Sequence, residues 1–405
     1  MNILIVGTSQ FPFGSASASR LRHFALGLKK AGADVRMISQ IAIQDRPQDI
    51  QSDGSRAFEG IPYESVIGVD HIHSERRTVW TKLNWFRNFF RGAQLAAARA
   101  AELIDQGHVD LILQYNRSYV ALSPFIKLCQ RTKTPLVVDV VEWPDRSFYP
   151  GGLFHPFYWD CKFGLQSMIV KADGIIAISR FLGDFYTRKK VPVLRVPAVI
   201  DIPDKFPDTF QTTSKIFNIV YVGKLTPRDG IREILGAVKL LLQKKLPVQL
   251  SIIGSSGQSG LGKKIKGQCN TDLLLKDSVH FLGFLSDEDL KMNLMKADAL
   301  VFVRPDDITA VAAFPTRLPE YLVTGRPVIT AGVGDIPDYL QDERDAMVAA
   351  PCTPENIAEK IETLMQLPDR GAQMGRNGFQ RASEVFNAKS RTQEIYDFFQ
   401  LLIDK

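Results

Sequence analysis

Short runs of aliphatic and β-branched residues, each closed by glycine or polar residues, recur along this chain with helix-length amphipathic stretches between them. The first run covers residues 2–6 and stops at Gly7; residues 20–31 follow with apolar side chains at Leu21, Phe24, Ala25 and Leu28 and end at Gly32. Apolar residues three and four apart make one helix face, whereas short wholly apolar runs make buried strands. By this rule strands fall at residues 35–39, 111–114, 136–140 and 174–178, with helices over 119–130, 157–171 and 181–189. The alternation resumes with strands at 217–222, 248–253, 279–282, 299–303, 328–331 and 346–348, and helices over 231–244, 354–366 and 376–402. Apolar strands alternating with helices specify parallel sheets, covered on both faces and joined by right-handed crossovers. The fold class is α/β, and functional groups are expected where strands end.

A chain of 405 residues exceeds what one core ordinarily serves. The alternation is interrupted at residues 201–214 (DIPDKFPDTFQTTS), proline-rich and polar. This predicts a first domain over 1–200, a linker over 201–214, a second domain over 215–385 and a closing helix over 386–405. A net charge of +6 favours anionic partners such as nucleotide phosphates or acidic lipid. That charge is spread rather than blocked, so nucleic acid is not an expected partner. Cys129, Cys161, Cys269 and Cys352 have no paired spacing, which argues against a zinc site or a disulfide framework. The N-terminus lacks the basic start and long apolar run of a signal peptide, and no 18-residue apolar stretch occurs. The expected location is cytoplasmic, including a peripheral place at the inner face of the membrane. Residues 80–91 (WTKLNWFRNFFR) interleave aromatics with cations. They read equally as a helix packing its aromatics inward and as a patch for an anionic membrane surface.

The densest cluster of signals is FPTRLPEYLVTGRPVITAGVGDIPD, residues 314–338. Thr316 is placed to cap a short helix, Pro319 lies in its first turn, and Gly325 with Pro327 ends it. A helix that begins beside an open loop offers unpaired N–H groups to a phosphate. Glu320, one turn in, can accept hydrogen bonds from two ribose hydroxyls, or merely complement the helix dipole. A second cluster, Gly223-Lys224-Leu-Thr-Pro-Arg228-Asp-Gly230, follows the strand at 217–222 and sets two cations at a strand-to-helix turn, suited to a leaving diphosphate. The stretch from Gly257 approaches P-loop spacing, but Lys264 stands where a Ser or Thr should bind magnesium, so that reading fails.

The string FPTRLPEYLVTGRPVITAGVGDIPDYL resembles the donor-binding segment of family-four retaining glycosyltransferases with the GT-B fold. The phrases VVDVVEWPDRSFYPGG and DGIIAISRFLGDFY resemble the bacterial polysaccharide-assembly members of that group. The resemblance covers most of the chain and is strongest over residues 217–345. It implies two Rossmann-like domains facing across a cleft, with the donor in the second, the acceptor in the first, and a C-terminal helix crossing back to the first. The implied reaction moves a sugar from a nucleotide-diphosphate donor to a hydroxyl of a glycan or lipid-linked acceptor, in cell-surface polysaccharide synthesis. No tightly bound cofactor and no metal are implied.

In the family's motif a Glu, seven residues and a second Glu straddle the donor loop. Ala312 stands at the first position and Glu320 at the second; Phe314 is the aromatic within the motif. Arg317 is the basic residue that many polysaccharide-assembly members carry three before the second Glu. The residues implied for the nucleotide sugar are Gly14, Ser15, Gly223, Lys224, Arg228, Phe284, Phe314, Pro315, Thr316, Arg317, Leu318 and Glu320. Of these, Lys224, Arg228 and Glu320 are expected to carry catalysis. Tyr115, Asn116, Glu142 and Asp145 are expected to contact the acceptor or sugar. Lys224 replaces a family Arg and Asp229 a family Lys. Asp229 is expected to face solvent or pair with a nearby cation such as Arg232, leaving Arg228 to enter the site. A second reading, a nucleotide-sugar-binding protein without transfer activity, rests on Ala312 and Asp229. An epimerase on the same fold would need a ring of acid–base residues that the sequence does not display.

Overall fold

The structure is a computed structural model, and it describes residues 1–44, 46–70, 79–115, 117–207, 215–226, 228–254 and 260–404, setting aside the side chains of 70 and 79–86. The chain forms two compact units: Met1–Asp201 together with Ala388–Lys405, and Ile202–Asn387.

The strands of the first unit are β1 Asn2–Gly7, β2 Asp34–Ser39, β3 Ile43–Gln44, β4 Ala57–Phe58, β5 Ile61–Ser65, β6 Val69–Asp70, β7 Leu111–Tyr115, β8 Leu136–Val140, β9 Gly174–Ala177 and β10 Val193–Arg195. Eight of them form one sheet in the order β10-β9-β8-β7-β1-β2-β5-β4, and β3 with β6 makes a small ribbon. All these pairings are parallel except β4 with β5. The main helices are α1 Ala16–Lys30, α2 Val79–Asp105, α3 Tyr119–Thr132 and α4 Pro156–Phe163. Leu21, Phe24 and Leu28 of α1 lie in the core with Ile3 and Ile5 of β1, and Ile395, Phe399 and Leu402 of the last helix, Ala388–Ile403, join the same cluster. Gly27 lets that helix approach, because a Cβ there would overlap Thr392.

Two helices differ from the sequence reading. The segment 157–171 is α4, then a wider π turn over Gly164–Met168 and a 3-10 turn over Ile169–Lys171. Gly164 presses on the backbone of Arg117, where any side chain would collide. The single helix expected over 376–402 is two, Pro368–Val385 and Ala388–Ile403. At the break, Phe386 turns inward to lie 5.4 Å from the rings of both Phe314 and Tyr339. The Ala388 N–H then donates to the Ile200 carbonyl at 2.9 Å, tying the last helix to the first unit.

The second unit contains β11 Phe217–Val222, β12 Val248–Ile253, β13 Val279–Gly283, β14 Ala299–Phe302, β15 Val328–Ala331 and β16 Met347–Ala349, all parallel in the order β13-β12-β11-β14-β15-β16. Ile219, Val220, Leu250, Ile252, Leu300 and Ile329 are inaccessible to solvent, the pattern of strands covered on both faces. Phe206, from the stretch read as linker, packs on this unit: its ring meets Phe379 edge-on at 5.2 Å and covers Gly325. Residues 208–214 of that stretch lie outside the described residues.

Candidate functional site

The C-terminal edge of the second sheet carries most of the residues singled out from the sequence. β11 ends at Val222, whose N–H donates to the Tyr321 hydroxyl at 2.8 Å. The chain then turns at Gly223. A Cβ there would overlap the Tyr221 hydroxyl and come within 2.8 Å of Arg317 Nη1, so glycine alone leaves this space. Arg317 opens the short helix Arg317–Leu322 and reaches back across the edge. Its Nη1 pairs with Asp229 Oδ1 at 3.1 Å and donates to the Tyr221 hydroxyl at 3.3 Å. The guanidinium also lies 4.9 Å above the Phe302 ring, a cation–π contact at the end of β14.

Asp229 thus pairs with a nearby cation, as one of the two expectations had it, but the cation is Arg317 rather than Arg232, and the side chain does not face solvent. It is buried, and its Oδ2 accepts from the Thr226 N–H at 3.0 Å and the Thr226 hydroxyl at 2.5 Å. Burial on its own would raise this carboxyl's pKa. The Arg317 charge and the two Thr226 hydrogen bonds outweigh it, and the group is held below its ordinary value of 3.8. Asp229 therefore stays ionised and fixes Arg317 in place.

Around this pair Lys224 and Glu320 are exposed and Arg228 is half-buried. Phe284, just past β13, is 71% exposed, an open aromatic face at the same edge of the sheet. Other residues of the expected set serve as support. Phe314 is buried with its ring 5.3 Å from Tyr339, and Pro315 and Leu318 are buried beside it. Their side chains are packed inward, so only their backbone can meet a ligand. Thr316 has helical φ of −63° and makes no capping hydrogen bond, contrary to the capping role read from its type. Ala312 is fully buried, so this position puts no carboxylate into open space.

In the first unit Gly14 has φ of +109° and lets the loop after β1 turn into α1. Ser15 caps that helix, its Oγ accepting from Ala18 N–H at 3.1 Å, and lies 2.7 Å from the Ser17 hydroxyl. Tyr115 ends β7 and is half-buried; burial pushes its phenol pKa up, with Asp139 and Glu142 adding to the shift. Asn116 lies outside the described residues. Asp145 accepts from the Ser147 N–H at 2.8 Å and caps a 3-10 turn. Glu142 forms an ion pair with Arg117, a residue the sequence reading passed over. An isolated arginine after a strand carries no local signal, and its carboxylate partner arrives only after the next strand.

Beneath this edge Arg20 forms a two-pronged pair with Asp139, Nε–Oδ2 at 2.7 Å and Nη2–Oδ1 at 2.9 Å, and donates to the Pro197 and Val196 carbonyls. A signal for it does exist: Arg20 precedes core residue Phe24 by four and so shares its helix face. Among the described residues no group of three or more His, Cys, Asp or Glu side chains could hold a metal ion.

Over its whole length the chain superposes on sucrose-phosphate synthase from Thermosynechococcus elongatus, with a TM-score of 0.73 at 16% identity and 100% of each chain covered. It likewise matches Anabaena HepE, solved in complex with UDP and glucose, with a TM-score of 0.68 at 16% identity and 99% of each chain covered. Two parallel-sheet units of this kind place the chain in the GT-B class of fold. Residues 204–381 match the family described as glycosyl transferases group 1. Among curated proteins, the uncharacterized glycosyltransferase YqgM of Bacillus subtilis is 22% identical over 226 residues, 55% of this chain and 59% of that protein. The D-rhamnosyltransferase WbpZ of Pseudomonas aeruginosa is 30% identical over 112 residues, 27% of this chain and 29% of that one. The chain thus spans about half or less of the length of the curated relatives it matches first.

Proposed function

We propose that the protein is a retaining glycosyltransferase that moves a sugar from a nucleotide-diphosphate donor to a hydroxyl of a glycan or lipid-linked acceptor, in cell-surface polysaccharide synthesis. The observation that carries this reading is Arg317: one nitrogen is pinned by Asp229 and Tyr221, and among the described residues the rest of the fork makes no further hydrogen bond, leaving it for a ligand at the edge where Lys224 and Arg228 also lie. Arg317, Lys224 and Arg228 against the carboxylates of Asp229 and Glu320 leave the site net positive where a diphosphate would depart (3 − 2 = 1). Negative charge grows on that group as the glycosidic bond breaks, so fixed cations favour the transition state over the bound donor. Glu320 holds the ribose hydroxyls and Phe284 lies against the base. Arg117 with Glu142, near Tyr115 and Asp145, meets the acceptor. No facing pair of carboxylates of the kind a glycosidase uses stands out in the sequence, and a donor phosphate oxygen takes the acceptor proton. The group 1 family match and the UDP-bound neighbour support the donor class.

The test is incubation with a panel of nucleotide sugars and glycan acceptors, with products identified by mass spectrometry and anomeric configuration by NMR. Release of nucleoside diphosphate with retained configuration is expected, unchanged by a chelator. The second reading, a binding protein without transfer, has Ala312 in its favour; the pairing of Asp229 with Arg317 removes its other ground. Such a protein would gain thermal stability from donors and release no diphosphate.

A place at the inner face of a membrane is proposed on a different surface from residues 80–91. Phe89 packs on Phe157 at 5.6 Å and belongs to the interior, Phe90 is exposed, and the side chains of 80–86 lie outside those described. Among the described residues no helix is long and apolar enough to cross a membrane. Leu153, Phe154, Trp159 and Phe163 are exposed at 45, 94, 39 and 50%. The Trp159 indole N–H donates to the Leu153 carbonyl at 2.7 Å, and the Lys162 ammonium lies 5.0 Å above its ring. Aromatics interleaved with a cation suit an anionic headgroup layer. Vesicles of anionic lipid should retain the wild type at low salt and release a Phe154→Ser, Phe163→Ser variant. Equal retention of a folded variant removes the membrane from this account.

A further inference from the structure

The first unit holds a cavity of about 410 Å3, within the range of small-molecule sites, in a place the proposed reaction does not use. It lies along β2 and β5 and reaches Arg99 and Leu103 of α2. Its charged lining is Arg36, Arg56, Arg99 and Glu64, a net of two positive charges (3 − 1 = 2).

The three arginines differ in what already holds them. Arg99 is committed, pairing with Glu64 at 3.0 Å and Glu102 at 2.7 Å. Arg56 donates through Nη1 to the Arg46 carbonyl at 3.1 Å. Arg36 is the exception: its Nε is shut off from water and has no hydrogen-bond partner among the described residues. The pleat explains where it points. Ile38 stands opposite Glu64 in the parallel register of β2 and β5, and Arg36 shares Ile38's face, two residues away. Arg99 descends onto that same face to reach Glu64. Arg36 is thus a half-buried cation in a roomy cavity beside a second guanidinium. That sealed Nε is out of a ligand's reach, but Arg36 also lines the cavity, and a guanidinium there bonds an oxyanion through charge-assisted hydrogen bonds. Glu64, Ser55 and Ser65 line the same space and make it polar rather than apolar.

We propose that this cavity binds a small sugar acid or sugar phosphate, its carboxylate or phosphate seated on Arg36. A fork-shaped guanidinium holds either group through two oxygens, whereas an uncharged sugar gains little there.

The experiment titrates the full chain with glucose 6-phosphate, glucuronate and glucose by calorimetry. It compares wild type, Arg36→Gln and Arg317→Ala, and in parallel follows modification of Arg36 by phenylglyoxal with mass spectrometry. At least one charged sugar should bind wild type and Arg317→Ala alike, bind Arg36→Gln about tenfold or more weakly, and slow modification of Arg36, with glucose doing neither. Binding that survives Arg36→Gln, or that vanishes in Arg317→Ala, overturns the assignment, because the anion then sits elsewhere. Failure of every charged sugar to bind wild type overturns it too. Should Arg36→Gln not fold, the wild-type footprint decides: unchanged modification of Arg36 in the presence of both anions ends the proposal.

Discussion

Each unit contains an arginine–aspartate pair at the C-terminal edge of its parallel sheet, and the two pairs are built for different ends. In the first unit Arg20 directs Nε and Nη2 at Asp139 and the remaining reach at two carbonyls, and both side chains are enclosed, at 3 and 0% exposure. In the second, Arg317 touches Asp229 with Nη1 alone, and 25% of its side chain stays open while Asp229 is 5% exposed. A guanidinium has five N–H donors. Arg20 has its donors consumed by the protein and acts as a bolt between α1, β8 and the chain after β10. Arg317 is held firmly enough to keep its aim and loosely enough to keep donors for a ligand. What separates a structural arginine from a binding one here is the number of donors left over, not the presence of a carboxylate partner.

The largest expected effect lies on the enclosed pair. Asp139→Ala leaves a buried guanidinium without its counter-charge and should cost about 3–5 kcal/mol of folding stability, read as a shift of the denaturant midpoint. A midpoint that barely moves would erase the distinction between the pairs. Arg317→Ala should do the reverse, with a modest change of midpoint and turnover at saturating donor lower by ~10²–10³-fold, the scale of one transition-state donor. Lys224→Ala and Arg228→Ala should follow at about 10²-fold each. If turnover survives loss of Arg317 but not of Arg228, the diphosphate is held by the turn alone and Arg317 joins Arg20 as a bolt.

Glu320→Ala comes next: weaker binding of donor and free nucleoside diphosphate alike, by ~1.5–3 kcal/mol in calorimetry, as for loss of charge-assisted hydrogen bonds. Equal affinities would leave Glu320 with only the helix dipole to complement. The smallest effect sharpens the comparison by pH. The Asp229 carboxyl has a lower pKa folded than its ordinary 3.8, so the unfolded chain binds more protons than the folded one in acid. Its stabilising contribution is present above about pH 4 and is lost as pH falls through the folded value. The midpoint advantage of wild type over Asp229→Asn should therefore be largest at neutral pH and shrink toward about pH 3. A constant difference across that range means the carboxylate is not what holds Arg317.

Strand and helix positions were largely legible, because periodicity and glycine stops are local properties. The exceptions are instructive. The run over 376–402 keeps helical periodicity through Phe386, yet the helix breaks there, where Phe386 packs against Phe314 and Tyr339. Thr316 has the right type for a cap but adopts helical dihedrals itself. The turn at Gly223 was found from its cations, yet its necessity comes from Arg317, a residue from another loop that fills the space a side chain would take.

By itself the sequence determined two parallel α/β units, the loops at which chemistry could sit, and the residue types gathered there. Those follow from spacing along one chain. Only the tertiary structure decided that Asp229 belongs to Arg317 rather than to solvent or Arg232, that Phe314 faces the core, and that Arg117 answers Glu142. The physical reason is the same for all three. An ion pair or a ring contact depends on which strand ends lie side by side in the sheet, and that order is set by packing across the whole unit rather than by neighbours in sequence.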